Sequence, residues 1–147
     1  MDIRKASLDD LQLVTEQTLL LYKDTNFDDL LVENKNLIED ENQIFFLGFE
    51  LDKCIGFAHC SLRHDYVEGT GGGKVAYLEG IYVTPEPRKQ GVASAFLVEC
   101  EKWGLSKGCR EIASDCEHDN QTSYDFHLSV GFREVNRLIC FTKKITV

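Results

Sequence analysis

No run of apolar residues in this chain is long enough to cross a bilayer or to act as a secretory leader. The first residues, Met1, Asp2, Ile3, Arg4 and Lys5, lead straight into a polar-apolar pattern, so the cytoplasm is the expected location and no membrane partner is expected. The chain also lacks any C-x-x-C pair. Cys54, Cys60, Cys100, Cys109, Cys116 and Cys140 are scattered in a way that suits neither a zinc site nor a secreted disulfide framework, and reduced, mostly buried thiols are expected. His59, His64, His118 and His127 form no ligand cluster with them, so no metal is expected. Positive charge is scarce as well, with 16 Lys and Arg against 25 Asp and Glu and a net charge of -9. A nucleic-acid reader needs a basic face to displace counterions, so that class is excluded and a cationic partner becomes the natural complement. Internal repeats and low-complexity linkers are absent, and 147 residues with 43% hydrophobic content suit one domain over residues 1–147.

The acidic residues are unevenly spread. Between Asp24 and Asn42 the seven acids Asp24, Asp28, Asp29, Glu33, Glu39, Asp40 and Glu41 face only Lys35, which leaves a local charge of -6, two-thirds of the imbalance. Such a run is either a solvated surface or an electrostatic lip that concentrates a polycation, and the two are compatible.

Ile3–Lys5 read as a short strand, and Ser7 as the cap of a helix with Leu8, Leu11, Val14, Leu19 and Tyr22 at helical spacing. A second helix is predicted over Asp28–Glu39. Strand-like runs at Gln43–Leu51 and Cys54–Tyr66 meet at Asp52 and Lys53 as a hairpin, which ends in the glycine-rich loop Glu68–Gly73. Val75–Val83 is a further strand, stopped by Pro85 and Pro87. Val92, Ala93, Phe96, Leu97, Cys100 and Trp103 then mark a helix running to Gly108. A short strand at Arg110–Ser114 and a helix from Asp119 to Ser129 follow, and Gly131 breaks that helix. Two last strands are predicted around Phe132–Val135 and Leu138–Ile145. This order predicts an α/β mixed sheet, mostly antiparallel and flanked by helices.

The turn Pro85, Glu86, Pro87, Arg88, Lys89, Gln90, Gly91, Val92, Ala93 joins a strand to a strongly amphipathic helix. Backbone N–H groups at such a helix start are unpaired, and the dipole favours negative charge there, so a pyrophosphate fits. Small residues at Gly91 and Ala93 let a diphosphate approach the backbone. By itself the stretch is equally compatible with an ordinary strand-to-helix turn carrying solvated Arg88 and Lys89.

Arg88-x-x-Gly91-x-Ala93 is similar to the Q/R-x-x-G-x-G/A signature of the GCN5-related N-acetyltransferase superfamily, on the elements that superfamily requires. Asn120, Ser123, His127 and Gly131-Phe132 resemble its second pattern, N-x-x-A-x-x-x-Y-x-x-x-G-F. The closer resemblance is to the aminoglycoside 6'-N-acetyltransferases, at Ser61 to Val67, Leu78 to Ile81, Gly108 to Glu111 and Ala113 to Asp115. It implies a sheet splayed between the strands at 75–83 and 110–114, with acetyl-CoA in the split as co-substrate. Backbone groups of Ile81, Tyr82 and Val83 would pair with the pantetheine. Arg88, Lys89, Gln90, Gly91, Val92 and Ala93 would hold the pyrophosphate, and Asn120 would join the cofactor side. The resemblance also implies a homodimer.

An amine attacks a thioester only as the free base, so the enzyme must bind an ammonium ion and then remove a proton. Glu79 stands inside an otherwise apolar strand, Tyr77, Leu78, Gly80, Ile81, where a carboxylate is costly unless paired. Asp115 ends the neighbouring strand and is either its counterpart or a turn aspartate. Negative charge that attracts an ammonium also opposes its deprotonation, so one carboxylate anchors a non-reacting ammonium while the other accepts the proton. Tyr66 is either a phenolic wall for the acceptor or a sheet tyrosine. Superfamily members usually carry a tyrosine acid where this chain has His127, and Tyr124 lies one turn earlier, so both are candidates for protonating the leaving thiolate. The implied reaction is acetylation of the 6'-amine of an aminoglycoside by direct attack in a ternary complex. A cellular polyamine or protein amine as acceptor, and a non-catalytic CoA-binding sensor, are the alternatives.

Overall fold

The structure is a computed structural model that describes residues 1–86 and 91–146. It divides into two units, Met1–Asp115 and Cys116–Val147.

The first unit is built on a five-stranded sheet in sequential order: β1 (Asp2–Lys5), β2 (Gln43–Glu50), β3 (Lys53–Arg63), β4 (Val75–Val83) and β5 (Ile112–Ser114). All neighbours are antiparallel except β4 and β5. Helices α1 (Leu11–Leu21) and α2 (Phe27–Glu39) follow β1, and α3 (Val92–Ser106) precedes β5. The predicted first helix is divided, since Leu8–Asp10 form a 3-10 turn ahead of α1. Asp10 closes that turn by accepting from the Ser7 N–H at 2.9 Å while Arg4 forks onto its carboxylate at 2.8 Å. The Arg4 bonds hold the Asp10 pKa down at about 2.

Burial on both faces of β2 and β3 follows from the period of two in a strand. Phe45, Leu47 and Phe57 pack with Val14 and the half-buried Leu13, Leu37 and Ile38 of α1 and α2. On the opposite face Gly48 and Gly56 leave room for the ring of Phe96, which is fully buried. The turn between β2 and β3 lies at Leu51 and Asp52, both with positive φ, one residue earlier than the pattern suggests. Helix α3 ends on Gly108, at φ 89°, with Cys109 N–H donating to the Gly104 carbonyl at 2.9 Å, the Schellman closure that the sequence position of this glycine foretells.

In the second unit α4 (Gln121–Ser129) is capped by Asn120, whose Oδ1 accepts from the Ser123 N–H at 3.1 Å. It closes on Gly131, with Phe132 N–H donating to the His127 carbonyl at 2.9 Å. The strands predicted at Phe132–Val135 and Leu138–Ile145 are not formed: the described residues after Gly131 have no regular secondary structure. A strand must pair its backbone groups with another strand, and the described residues of this unit include none. The β-like composition of Leu138, Ile139, Phe141 and Ile145 therefore leaves these side chains 70–94% exposed.

Candidate active site

The register between β3 and β4 slips at one place. His59 pairs with Gly80 and Cys60 with Leu78, so Glu79 is one extra residue, a β-bulge in β4. The bulge turns Glu79 and position 80 toward the same side of the sheet, the side covered by α1 and α2. A Cβ at residue 80 would collide with the hydroxyl of Tyr22, the residue that closes α1, so glycine is required there. Tyr22 donates a long bond, 3.5 Å, to the Glu79 carbonyl.

Glu79 is the buried-strand carboxylate that needed a partner, and it has two. Ser61 Oγ donates to its Oε2 at 2.5 Å, and Arg63 reaches both carboxylate oxygens at 3.0 Å from Nη2. With side-chain exposures of 25% for Glu79 and 43% for Arg63, the pair lies at the rim, within reach of solvent. The Arg63 guanidinium also stacks 3.5 Å from the ring centroid of Tyr77, and the Tyr77 hydroxyl donates to Asp115 Oδ2. Asp115 follows β5, whose last residue is pinned by Ser114 Oγ donating to the Leu78 carbonyl at 3.1 Å. Ser61, Arg63, Tyr77, Glu79 and Asp115 thus form one continuous network. Burial raises the Tyr22 phenol pKa, and the charges of Glu79, Glu33 and Asp115 raise it further, which brings α2 into the same electrostatic neighbourhood.

Beyond Leu78 strand β4 has no pairing with β5. Thr84 N–H donates to the Ile55 carbonyl at 2.8 Å, so by alternation Tyr82 faces β3 while the backbone groups of Ile81 and Val83 face the opening. Gly91 begins α3 with φ 85°, and among the described residues no side chain caps that helix and nothing stands within 4 Å of where a Gly91 Cβ would be. These are the features a diphosphate and an extended pantetheine require: open amides at a helix start and an unpaired strand edge. Arg88, Lys89 and Gln90 lie outside the described residues. Val92 is buried and Ala93 half-buried, so they contribute backbone to this surface.

The remaining candidates are not members of that hydrogen-bonded network. Tyr66, 70% exposed in the loop after β3, stands outside it. Asn120, Tyr124 and His127 belong to the second unit. There His127 Nδ1 lies 2.6 Å from the Ser123 carbonyl and its ring is 5.1 Å from that of Phe132, while Tyr124 faces Arg137. Sequence reasoning missed Tyr22, Ser61, Arg63 and Tyr77 as parts of the site. Tyr77 pairs with Ser61 and Val75 with Arg63, so period two carries Glu79 onto their face, but apolar periodicity does not tell which strands pair or in what register.

The sequence profile of the Acetyltransferase (GNAT) family matches residues 9–132. The chain belongs to that family. An aminoglycoside N(6')-acetyltransferase type 1 of Salmonella typhimurium is 38% identical over 114 residues, 78% of this chain and 79% of that protein. One of the same name from Acinetobacter haemolyticus is 34% identical over 99% of both chains. The solved structure of AAC(6')-Iy in complex with the bisubstrate analog CoA-S-monomethyl-acetylneamine superposes with a TM-score of 0.92, at 34% identity and 98% coverage of both chains. The α/β fold expected from the sequence is the family's own, a mixed sheet with flanking helices.

Proposed function

We propose that this chain transfers acetyl from acetyl-CoA to the 6'-amine of an aminoglycoside, by direct attack within a ternary complex. The observation that carries the reading is the juxtaposition of Glu79 and Asp115 in one hydrogen-bonded network, on the sheet face that also holds the acid-rich α2. Full-length similarity to enzymes bearing that name supports the acceptor class.

Acetyl-CoA supplies an activated thioester. The amides at the start of α3 and the outward backbone of Ile81 and Val83 would seat it, and an N–H on that edge would polarise the thioester oxygen. Glu79, already bound by Ser61 and Arg63, suits an anchor for a non-reacting ammonium. Asp115, an exposed residue with one hydroxyl donor, suits the proton acceptor. His127 or Tyr124 would protonate the departing thiolate, a modest task because a thiol with pKa near 8.5 leaves tolerably well unaided. Asn120 keeps its cofactor-side assignment together with its cap, and Tyr66 remains a wall for the acceptor. The family match runs across the boundary at Asp115, which supports a single N-acetyltransferase domain over 1–147. The exposed apolar side chains of Leu138, Ile139, Phe141 and Ile145 support a homodimer, and the absence of a membrane-spanning helix among the described residues is compatible with the cytoplasm.

The test is mass spectrometry and NMR of products from matched 6'-amino and 6'-hydroxyl aminoglycosides, at low and high salt. Acetylation of the 6'-amine alone, with a KM that rises with ionic strength, is the outcome expected of an acidic site. Equal turnover of both, or activity confined to spermidine or a peptide amine, would reject the aminoglycoside acceptor. Binding of acetyl-CoA without thiol release to any amine would leave a CoA sensor.

A further inference from the structure

The two acceptor-side carboxylates are joined through a single aromatic ring. Tyr77 is 7% exposed, and its strand is paired on both flanks, to Ser61 and to Ala113. Its ring lies under the Arg63 guanidinium, which forks onto Glu79, and its hydroxyl donates to Asp115. Asp115 has no such framework of its own: it follows a three-residue strand, its residue is exposed, and among the described residues Tyr77 is the side chain that bonds it. A carboxylate on a loop samples several rotamers, and a donor built into a rigid sheet selects one of them. Burial, and then the bond to Asp115, raise the Tyr77 phenol pKa well above its ordinary value, so the hydroxyl keeps its proton and remains a donor throughout the neutral range.

We propose that Tyr77 is a positioning residue for acetyl transfer: its hydroxyl holds the Asp115 carboxylate in the orientation that receives the acceptor amine, and Arg63 ties the same ring to Glu79. The role rests on the acceptor-side reading of Asp115. Arg63 and Tyr77 then set the two carboxylates as one unit, so an acceptor meets a fixed pair of sites rather than two independent ones.

The experiment has two arms. In the first, unfolding of Tyr77→Phe, Asp115→Ala and the double variant is compared, with no acceptor present. The double variant should lose less stability than the two single losses added together, because both remove the same bond, and full additivity would overturn the contact. In the second, kinetics are measured with a 6'-amino aminoglycoside. Tyr77→Phe keeps the ring and its stacking on Arg63, so it should lower kcat/KM for the amine about tenfold while the KM for acetyl-CoA changes less than about twofold, and it should add nothing to the loss in Asp115→Ala. Unchanged amine turnover, an equal loss toward acetyl-CoA, or a loss that multiplies with that of Asp115→Ala would overturn the positioning role. A wild-type protein inactive on that amine would instead count against the aminoglycoside reading. The same comparison is then made with whichever amine releases thiol from acetyl-CoA.

Discussion

The two faces of the sheet are built from different materials. Toward α3 the contacts are apolar and close: Phe96 fits into the space left by Gly48 and Gly56, Gly104 lets the helix approach Ala76, and Cys60 and Cys100 are fully buried. Toward α1 and α2 the sheet carries a polar line. Asn34 Nδ2 donates to Thr15 and Thr18 at 3.3 and 3.0 Å, His59 stacks 4.3 Å from Phe45 and bonds Gln43 at 2.7 Å, and Ser61, Glu79, Tyr77 and Asp115 continue it to the rim. An apolar face is stabilised by area alone and tolerates little change of shape. The polar line adds little net stability to the Phe45, Leu47, Phe57 and Val14 cluster on the same face, and its members persist because they bond one another. The second face is therefore where acceptor chemistry can be placed, and the first is what holds it in position.

This contrast can be broken on the apolar side with the largest effect. Phe96→Ala, which empties a fully buried site between α3 and two strands, should cost about 4 kcal/mol of stability, read as a lower denaturation midpoint with acetyl-CoA stoichiometry retained in the folded fraction. A loss below about 1 kcal/mol would show that α3 is not the fold's anchor. Next comes the pH dependence of the polar face. Burial, partly offset by Glu79, lowers the His59 pKa to about 4 from an ordinary value of 6.5. The unfolded chain therefore takes up a proton first as pH falls. The stability associated with a neutral His59 is complete above about pH 6.5, declines between there and about pH 4, and totals about 3 kcal/mol. Urea titrations at pH 7 and pH 4 measure it, and His59→Phe should flatten that part of the curve.

Function separates the faces next. Glu79→Gln keeps the shape of the anchor and removes its charge, so kcat/KM for a polycationic amine should fall about 100-fold, with the acetyl-CoA affinity unchanged in a titration of the same protein. Gly91→Val tests the cofactor edge in the opposite sense. It forces a β-branched residue into φ 85° and fills the open approach to the α3 amides, so acetyl-CoA binding should weaken at least about tenfold and the ligand-induced rise in melting temperature should vanish. The smallest effect belongs to a polar contact far from both. Asp10→Ala removes the Arg4 bridge and the Ser7 turn bond at a solvent-accessible edge, and should cost about 1 kcal/mol or less by thermal unfolding.

Most of the elements are legible in the sequence because they rest on local signals. Val75–Val83 agrees with β4 at both ends, the α3 periodicity runs to Gly108, and both helix-closing glycines, Gly108 and Gly131, serve as read. The expected strands after Gly131 fail because β-branched and aromatic composition describes a residue's preference, while a strand is a property of two segments. The acidic run between Asp24 and Asn42 is legible as charge, and all seven acids are exposed. Part of it has a local purpose that charge counting misses: Asn26 and Asp29 cap α2, with the Asp29 N–H donating to Asn26 Oδ1 at 2.9 Å.

The sequence by itself determined the order of elements as far as Ser129, the glycine at the start of α3 and the presence of a carboxylate inside an apolar strand. These depend on backbone conformation, hydrophobic period and the energetic oddity of a charge in an apolar strand, all readable within a few residues. Only the tertiary structure decided that Glu79 is bulged, that Gly80 makes way for Tyr22, and that Ser61, Arg63 and Tyr77 bind the carboxylates into one network. Those contacts join residues 14 to 58 positions apart in the chain, and a one-residue slip in strand register decides which side chains share a face.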